Sequence, residues 1–205
     1  MSFWADRVLP HLVENACRSH AILEARQRWV PRAHGSVLEL GVGSGLNLAF
    51  YDAAKVRKVT GIDPSAPLLA RAAARASEAP VPVELIRGRA EALPFPDRAF
   101  DSAVITYSLC SVDDPARALA ELRRVLRPGG ELVFVEHGLA RDAGPRRWQR
   151  WLTPLWRRVG GGCHLDRDMT TILRDAGYHS DDLNADYTEG ARWLSYTFQG
   201  TARPT

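Results

Sequence analysis

Residues 37–52, VLELGVGSGLNLAFYD, decide the fold of this chain. Residues 37–40 predict a buried strand, the glycines that follow predict a tight turn, and residues 46–54 predict a helix. A strand, a glycine turn and a helix start in this order are typical of a site for a nucleotide-like ligand. The glycines are spaced G-x-G-x-G, whereas dinucleotide sites have G-x-G-x-x-G, so the third glycine comes one residue early.

Strand and helix patterns alternate after this stretch. Further strands are predicted over residues 58–62, 81–86, 102–107 and 131–136, and two closing strands over 182–187 and 193–198. Helices are predicted over 11–30, after Ser65, after Asp113 and Asp114 up to a Pro-Gly-Gly stop at 128–130, and over 166–176. This alternation predicts an α/β fold, a parallel sheet with helices on both faces. Ligands of such sheets lie at the carboxyl ends of the strands.

Composition places the chain among ordinary globular proteins. Its 205 residues suit one domain, with 45% hydrophobic and 25% charged residues and a net charge of +3. Cys17, Cys110 and Cys163 form neither a metal-ligand spacing nor an even disulfide set, which favours a reducing cytoplasm. No apolar stretch has the ~20 residues of a membrane span. The first twenty residues lack signal-peptide features, so we expect no leader.

Two carboxylates bear on the type of ligand. Asp63 closes the second strand, where a carboxylate can accept both hydroxyls of a ribose, although a plain cap before Pro64 and Ser65 is the structural alternative. NAD enzymes also have an acid at this place, so Asp63 does not choose between adenosine-type cofactors. Glu39 stands two residues before the first glycine. A negative charge there disfavours a pyrophosphate and favours a cofactor with a sulfonium and an ammonium group.

Residues 88–137, GRAEALPFPDRAFDSAVITYSLCSVDDPARALAELRRVLRPGGELVFVEH, carry a family resemblance. The A-E-A-L-P-F loop, the F-D that opens the fourth strand and the L-R-P-G-G turn resemble the class I S-adenosylmethionine-dependent methyltransferases. With the glycine loop and Asp63, the resemblance covers about residues 37–178. It implies a Rossmann-like fold, with a mostly parallel seven-stranded sheet whose last strand runs antiparallel. It implies S-adenosylmethionine as the methyl donor and S-adenosylhomocysteine as a product.

The resemblance also implies a set of cofactor-binding residues. The backbone of Gly41, Gly43 and Gly45 would approach the methionine part of the cofactor, beside Glu39 and Asn47. Asp63 would hold the ribose, and the adenine would contact Pro64, Ser65 and Ala90. Thr106 and Tyr107 would lie under the sulfonium and the carboxylate. Arg89 departs from the pattern, because many relatives have Asp there and Arg cannot accept the adenine amino group's hydrogen bond. A backbone carbonyl or Glu91 would then accept it, or Arg89 would stack on the ring.

Within that superfamily, three short motifs resemble the small-thiol S-methyltransferases. They are L-C-S-V at 109–112, E-H at 136–137 and G-C-H-L at 162–165. The resemblance implies that the acceptor is a small apolar thiol. A C- or N-methyltransferase acting on a quinone precursor or a phospholipid headgroup is the alternative. A cofactor-binding sensor or assembly subunit without turnover is an alternative from another class.

Candidate catalytic groups follow from the acceptor. A thiol is partly ionised near neutral pH, so a modest base or a positive field would suffice. His137, at the end of the fifth strand, is the first candidate base, and a histidine that bonds the backbone there is the equal alternative. His164 is the second candidate. We expect Cys110 and Cys163 to be walls of the substrate pocket or buried packing rather than nucleophiles. No metal site is expected.

Residues 141–162 are basic and rich in tryptophan. Trp148, Trp151 and Trp156 lie at helical spacing among arginines, and Pro154 predicts a kink or break in a helix. The segment is predicted to roof the substrate pocket, with Trp148 and Trp151 in its wall, or to rest on an anionic membrane at its inner face. Nucleic acid is the third alternative, and we do not expect it, because the rings share one face.

These predictions divide the single domain into four segments. Residues 1–35 form a helical lead-in or lid, 36–137 the cofactor-binding core, 138–165 the basic Trp-rich lid, and 166–205 the C-terminal helix and closing strands.

Overall fold

The computed structural model describes Glu14 and residues 19–205. In this part of the chain there are eight strands: β1 (Gly35–Leu40), β2 (Val56–Asp63), β3 (Val83–Arg87), β4 (Phe100–Thr106), β5 (Leu126–His137), β6 (Tyr178–His179), β7 (Asn184–Tyr187) and β8 (Tyr196–Pro204). The α-helices of the same part are α1 (His20–Trp29), α2 (Ala66–Ala76), α3 (Pro115–Val125), α4 (Ala143–Val159) and α5 (Met169–Asp175).

The strands form one sheet in the order β3-β2-β1-β4-β5-β8-β6, with β7 also paired to β8. The five strands from β1 to β5 are parallel, and β8 runs antiparallel to β5. The mostly parallel Rossmann-like sheet and its antiparallel last strand are therefore confirmed. The expected seven strands are wrong: the described residues form eight, because the two-residue β6 pairs with the end of β8.

Neighbouring residues of the central strands face two separate hydrophobic cores. Val37 and Val104 pack on the side of α1, together with Trp29. Leu38 and Leu119 pack on the other side, the side of α3. Strands covered on both faces need apolar residues at nearly every position, which is why their sequences show no polar alternation. The cores fix the strand register and thereby bring the carboxyl ends of β1, β2 and β4 to one edge.

The helix predicted over residues 46–54 is wrong. The chain forms only a short 3₁₀ turn, Leu48–Phe50, and Tyr51 is already extended with φ −69° and ψ 134°. Two side chains of this segment are bonded beneath the glycine turn, where Asn47 and Tyr51 donate to the buried Glu39. These tertiary bonds replace the helix, so the site has no long helix N-terminus here.

Pro154 does not break the basic segment, which forms the continuous helix α4. The expected break is therefore wrong. Pro154 lies on the exposed side, where water can satisfy the carbonyl that loses its partner. The opposite side is fixed by Gln149, which accepts from the N–H of Ala140 at 2.8 Å and donates to the carbonyl of Gly138 at 2.9 Å.

Most of the remaining elements lie within a few residues of their predicted places. The strand predicted over residues 193–198 is found at Tyr196–Pro204, and residues 128–130, predicted to stop α3, lie within β5, which already begins at Leu126. Ser65 and Asp114 cap α2 and α3 as their positions predicted, accepting from Leu68 and Arg117. Of the helix predicted over 11–30, residues 11–13 and 15–18 lie outside the described residues, as does Cys17. None of the helices in the described part has the length and apolar character needed to cross a lipid bilayer.

Candidate cofactor site

A cavity of about 420 Å³ opens at the carboxyl ends of β1, β2 and β4. The sheet order reverses between β1 and β4, and open α/β sheets bind ligands at such a point. Most predicted cofactor residues line it, namely Gly41, Gly43, Asp63, Pro64, Ser65, Arg89, Ala90, Glu91, Thr106 and Tyr107. Glu39, Gly45 and Asn47 are not among the residues that line it.

The glycine turn shapes the floor of this cavity. Gly41 has φ +72°, and a Cβ there would lie 2.1 Å from the Oγ of Ser108, so no side chain fits. Gly43 has φ +54°, and a Cβ there would meet nothing closer than 3.9 Å. Gly41 therefore allows the turn to pack against the loop after β4. Gly43 leaves open space above the backbone, which a ligand can approach closely.

Asp63 presents a carboxylate at the end of β2. Its Oδ2 accepts from the N–H of Gly43 at 3.0 Å, and its Oδ1 accepts from the N–H of Ser65 at 2.8 Å. Burial raises the pKa of Asp63, although these two bonds favour the ionised form. Each oxygen keeps a lone pair for a further donor, as two adjacent ribose hydroxyls require. The alternative of a plain cap fits less well, because Asp63 itself lines the cavity.

A buried polar network lies beneath the glycine turn. Glu39 accepts from Nδ2 of Asn47 at 2.9 Å and from the hydroxyl of Tyr51 at 2.7 Å. Burial raises the pKa of Glu39 to about 7, against the lowering effect of Tyr51 and Arg26. Glu39 does not line the cavity wall, and hydrogen bonds through Asn47 connect it to Thr106, which does.

Arg26 of α1 joins this network and was not predicted. Its Nη1 donates to Oδ1 of Asn47 at 2.5 Å and to Oγ1 of Thr106 at 2.6 Å. The residue is only 5% exposed, lines the cavity, and its Nε has no hydrogen-bond partner among the described residues. A buried guanidinium at a cavity wall is a binding group for a carboxylate. The sequence feature that could have indicated this role is an arginine on the apolar face of α1, one helical turn before Trp29.

Arg89 closes the other end of the cavity. Its guanidinium pairs with Asp113 and lies 3.6 Å from Glu91. Oε1 of Glu91 accepts from the backbone N–H of Asp113 at 3.0 Å and of Asp114 at 3.4 Å. Glu91 therefore ties the loop before α3 to the loop after β3. Asp113 also lines the cavity and adds an unpredicted carboxylate acceptor at this end.

Tyr107 joins the cavity to the candidate base His137. Tyr107 lines the cavity with φ +54°, a rare backbone conformation for a residue with a side chain, and such conformations occur often at functional sites. Its ring centroid lies 4.7 Å from that of His137. His137 does not line the cavity, and its buried Nδ1 has no hydrogen-bond partner in the described chain. Burial lowers its pKa to about 4, so the imidazole is neutral near neutral pH.

The three motifs of the thiol resemblance meet around the loop after β4. Glu136 accepts from the backbone N–H of Ser108, Leu109 and Cys110 at 2.7, 2.9 and 3.0 Å. The N–H of His164 donates to the carbonyl of Cys110 at 2.9 Å. Glu136, the loop and the start of the G-C-H-L segment thus form one connected cluster beside the cavity.

Neither cysteine of this cluster lines the cavity. Cys110 and Cys163 are both buried, and the hydrogen bond to Cys163, followed by burial, raises the pKa of Cys110. A thiol with a raised pKa is a poor nucleophile. His164 is half-buried, and its Nδ1 lies 3.7 Å from a carboxylate oxygen of Asp166.

The two predicted tryptophans also lie away from the cavity. Trp148 and Trp151 are 56% and 72% exposed on the outer side of α4. The basic segment reaches the cavity instead through Gly161, just after α4. Other cavity residues that the sequence did not predict as site residues include Glu14, Ser108, Ser111 and Val112. Ser108, Ser111 and Val112 lie in the loop after β4, and Glu14 is a helical residue.

Residues 38–134 match a family model described as "Methyltransferase domain". The chain is 36% identical over 153 residues to thiol S-methyltransferase TMT1B of Rattus norvegicus, covering 72% of this chain and 62% of that protein. It is 45% identical over 113 residues to phosphatidylethanolamine N-methyltransferase of Cereibacter sphaeroides, covering 54% of each. The chain thus spans less than two thirds of the length of these curated relatives.

A solved structure of similar fold extends the likeness beyond the matched segment. It is that of an S-adenosylmethionine-dependent methyltransferase from Methanosarcina mazei, with 26% identity and a TM-score of 0.65. The match covers 82% of this chain and 92% of that one.

Proposed function

We propose that the protein is a class I S-adenosylmethionine-dependent methyltransferase that transfers a methyl group from this donor to a small apolar thiol, because residues 38–134 match a methyltransferase domain. The observation that carries the proposal is the cavity at the carboxyl ends of β1, β2 and β4, with Asp63 and Arg26 in its wall. The products are a thioether and S-adenosylhomocysteine.

The residues present fit the donor at both ends. Asp63 would hold the ribose hydroxyls, the open backbone at Gly43 would lie against the methionine part, and Arg26 would bind its carboxylate. When bound, S-adenosylmethionine supplies an electrophilic methyl group on a positively charged sulfur. The chain's part is to hold the acceptor in line with that group and to exclude water, which is mainly a task of orientation.

Three observations support a thiol as the acceptor. The thiol S-methyltransferase of Rattus norvegicus is 36% identical to this chain. The three motifs of the thiol resemblance form one cluster next to the cavity. No strong base lines the cavity in the described part of the chain, and a thiol needs little help, because its ordinary pKa of about 8.5 leaves part of it ionised near neutral pH.

His137 is a weak base in this arrangement. A pKa of about 4 makes the transfer of a proton from a thiol to His137 strongly unfavourable. We therefore propose that the acceptor ionises on its own before the methyl transfer. His137 would then support the ring of Tyr107, against which it packs. His164 stays a candidate for attracting the thiolate, although desolvation and Arg167 and Arg157 lower its pKa.

We also propose a cytoplasmic location, with peripheral binding at the inner face of a membrane. Apolar thiols partition into lipid, so an enzyme at the membrane surface meets its acceptor there. In the same proposal residues 1–35 and 138–165 act as lids over the 36–137 core, with 166–205 closing the fold. Glu14, Arg26 and Gly161 support this division, since each of these lid residues lines the cavity.

The acceptor class is tested with one panel. Purified protein is incubated with S-adenosylmethionine and with apolar thiols, amines, quinols or phosphatidylethanolamine, and S-adenosylhomocysteine is measured. We expect turnover with thiols, at a rate that rises with pH toward the thiol's own pKa. Turnover with non-thiols alone would overturn the thiol proposal and leave the methyltransferase proposal standing.

A second candidate function is N-methylation of a phospholipid headgroup, or C-methylation of a quinone precursor. The 45% identity to a phosphatidylethanolamine N-methyltransferase favours it, although that match covers 54% of the chain. Thiol-specific residues would lie at the end of β5, at His137, and in the segment after it, at Cys163. A protein that binds S-adenosylhomocysteine but turns over no acceptor would instead be a sensor or an assembly subunit.

A further inference from the structure

The outer side of α4 carries an apolar stripe that the described part of the protein does not cover. Trp148, Trp151, Leu155 and Val159 are 56%, 72%, 61% and 42% exposed. Spacings of three, four and seven residues put them on one side of the helix. They are the large apolar side chains that remain exposed among the described residues. An exposed apolar stripe of this kind marks a surface that binds another molecule or a membrane.

The opposite side of α4 is attached to the fold, so the direction of the stripe is fixed. Gln149 is 1% exposed and bonds the backbone at Gly138 and Ala140. The Trp156 ring packs edge-on against that of Trp193, with centroids 5.6 Å apart. The helix therefore cannot turn its stripe inward without losing these contacts.

Arginines border the stripe, and α4 has no acidic residue. Arg147, Arg150, Arg157 and Arg158 are exposed, and none of them forms an ion pair with another described residue. A helix with tryptophan and leucine on one side and arginine on the next matches the depth profile of an interface between lipid headgroups and acyl chains. We propose that α4 docks the protein on a membrane surface that contains anionic lipid.

Two other occupants fit this face less well. A second copy of the chain would bring the two arginine rows together, and like charges repel. A single-stranded nucleic acid needs open aromatic faces for base stacking. The Trp148 and Trp151 rings instead pack edge to face, with centroids 5.7 Å apart and planes at 80°.

Docking along α4 would also place the cavity near the lipid. The helix ends at Val159, and Gly161, two residues later, lines the cavity. The opening of the cavity beside Gly161 would then face the lipid headgroups, where an apolar acceptor is concentrated. Membrane binding itself does not depend on the proposed methyl transfer, so either can fail alone.

The test is flotation of the full chain with vesicles of phosphatidylcholine alone or of phosphatidylcholine and phosphatidylglycerol in equal parts. Two variant sets are compared with the wild type: Trp148→Ala/Trp151→Ala/Leu155→Ala, which empties the stripe, and Arg147→Gln/Arg150→Gln/Arg158→Gln, which removes its border charge. The matched control, Arg57→Gln/Arg117→Gln/Arg174→Gln, removes as many exposed arginines elsewhere.

We expect the wild type and the control to float with the anionic vesicles and not with phosphatidylcholine alone. The arginine set should weaken binding roughly a hundredfold, and the alanine set should abolish flotation. Acyl-chain-brominated lipid should quench wild-type tryptophan fluorescence, and the alanine set should lose this quenching. Unchanged thermal unfolding shows that the variants are folded, as expected for exposed positions.

Several results would overturn the proposal. One is a wild type that does not float, and another is equal flotation of wild type and both variant sets, which would put the contact elsewhere in the chain. A dimer in analytical ultracentrifugation that the alanine set dissociates, without lipid binding, would assign the face to a second copy. Retention of single-stranded DNA through the stripe, without lipid binding, would assign it to nucleic acid.

Discussion

Arg26 is the residue whose role the structure changes most. It comes from α1, outside the strand and loop motifs, yet its guanidinium bonds Asn47 and Thr106 at the cavity wall. Its unbonded Nε is enclosed by the protein, so a ligand in the cavity would meet other atoms of the Arg26 side chain. The carboxylate of the methionine part carries the charge that a guanidinium attracts.

We predict that Arg26→Gln weakens S-adenosylhomocysteine binding roughly tenfold to a hundredfold, which is the worth of one charged hydrogen bond. Binding of 5′-methylthioadenosine should not change, because that ligand lacks the carboxylate. Calorimetry on both ligands measures the difference. Arg28→Gln, an exposed change two positions along α1, is the control. Equal losses for the two ligands would mean that Arg26 only supports the fold.

His137 makes a prediction about pH. Its pKa in the folded protein is about 4, below the ordinary 6.5, so as pH falls the unfolded chain takes up this proton first. The stabilising effect of a neutral His137 is complete above about pH 6.5 and is lost as pH falls toward about 4. The wild type should lose about 3 kcal/mol more than His137→Asn between about pH 7 and pH 4.

Urea unfolding of both proteins at several pH values measures this difference. Comparison with His137→Asn is needed because Glu39, with its pKa raised to about 7, changes stability in the opposite direction. In the folded state Glu39 keeps its proton between about pH 4.5 and 7, so its contribution falls as pH rises there. If the difference in free energy of unfolding between the two proteins stays constant with pH, His137 ionises like an exposed histidine.

At the scale of elements, the strands and the capped helices could be predicted from the local sequence. Apolar runs marked β1 to β5, and Ser65 and Asp114 marked the starts of α2 and α3. The conformation of the segment after the glycine turn could not be predicted from local chemistry. It depends on hydrogen bonds that Asn47 and Tyr51 donate to Glu39, which lies earlier in the chain. Such bonds leave no periodic pattern in the sequence.

Two further elements show the limits of local patterns. The two-residue β6 is too short for any alternation to appear, and it forms only because β8 offers a free stretch of backbone. Pro154 is disfavoured inside a helix, yet buried contacts at Gln149 and Trp156 hold α4 together across it. In each case tertiary contacts override the local preference.

At the scale of the whole molecule, the cavity wall was largely predictable, because the order of a parallel sheet brings loops distant in sequence to one edge. Asp63, the glycine turn and Thr106 all meet there. The acceptor side was less predictable. Trp148 and Trp151 were expected in the pocket but lie on the outer side of α4, since helical spacing alone does not say which side of an amphipathic helix faces the fold.

The central claim is that this cavity binds S-adenosylmethionine through Asp63, and calorimetry with the product S-adenosylhomocysteine tests it most directly. We predict one site per chain in the wild type, a loss of affinity of at least about tenfold in Asp63→Asn, and no change in Asp97→Asn, an exposed control at the other edge of the sheet. A wild type that binds no S-adenosylhomocysteine, or an Asp63→Asn variant that binds it as tightly as the wild type, would contradict the account.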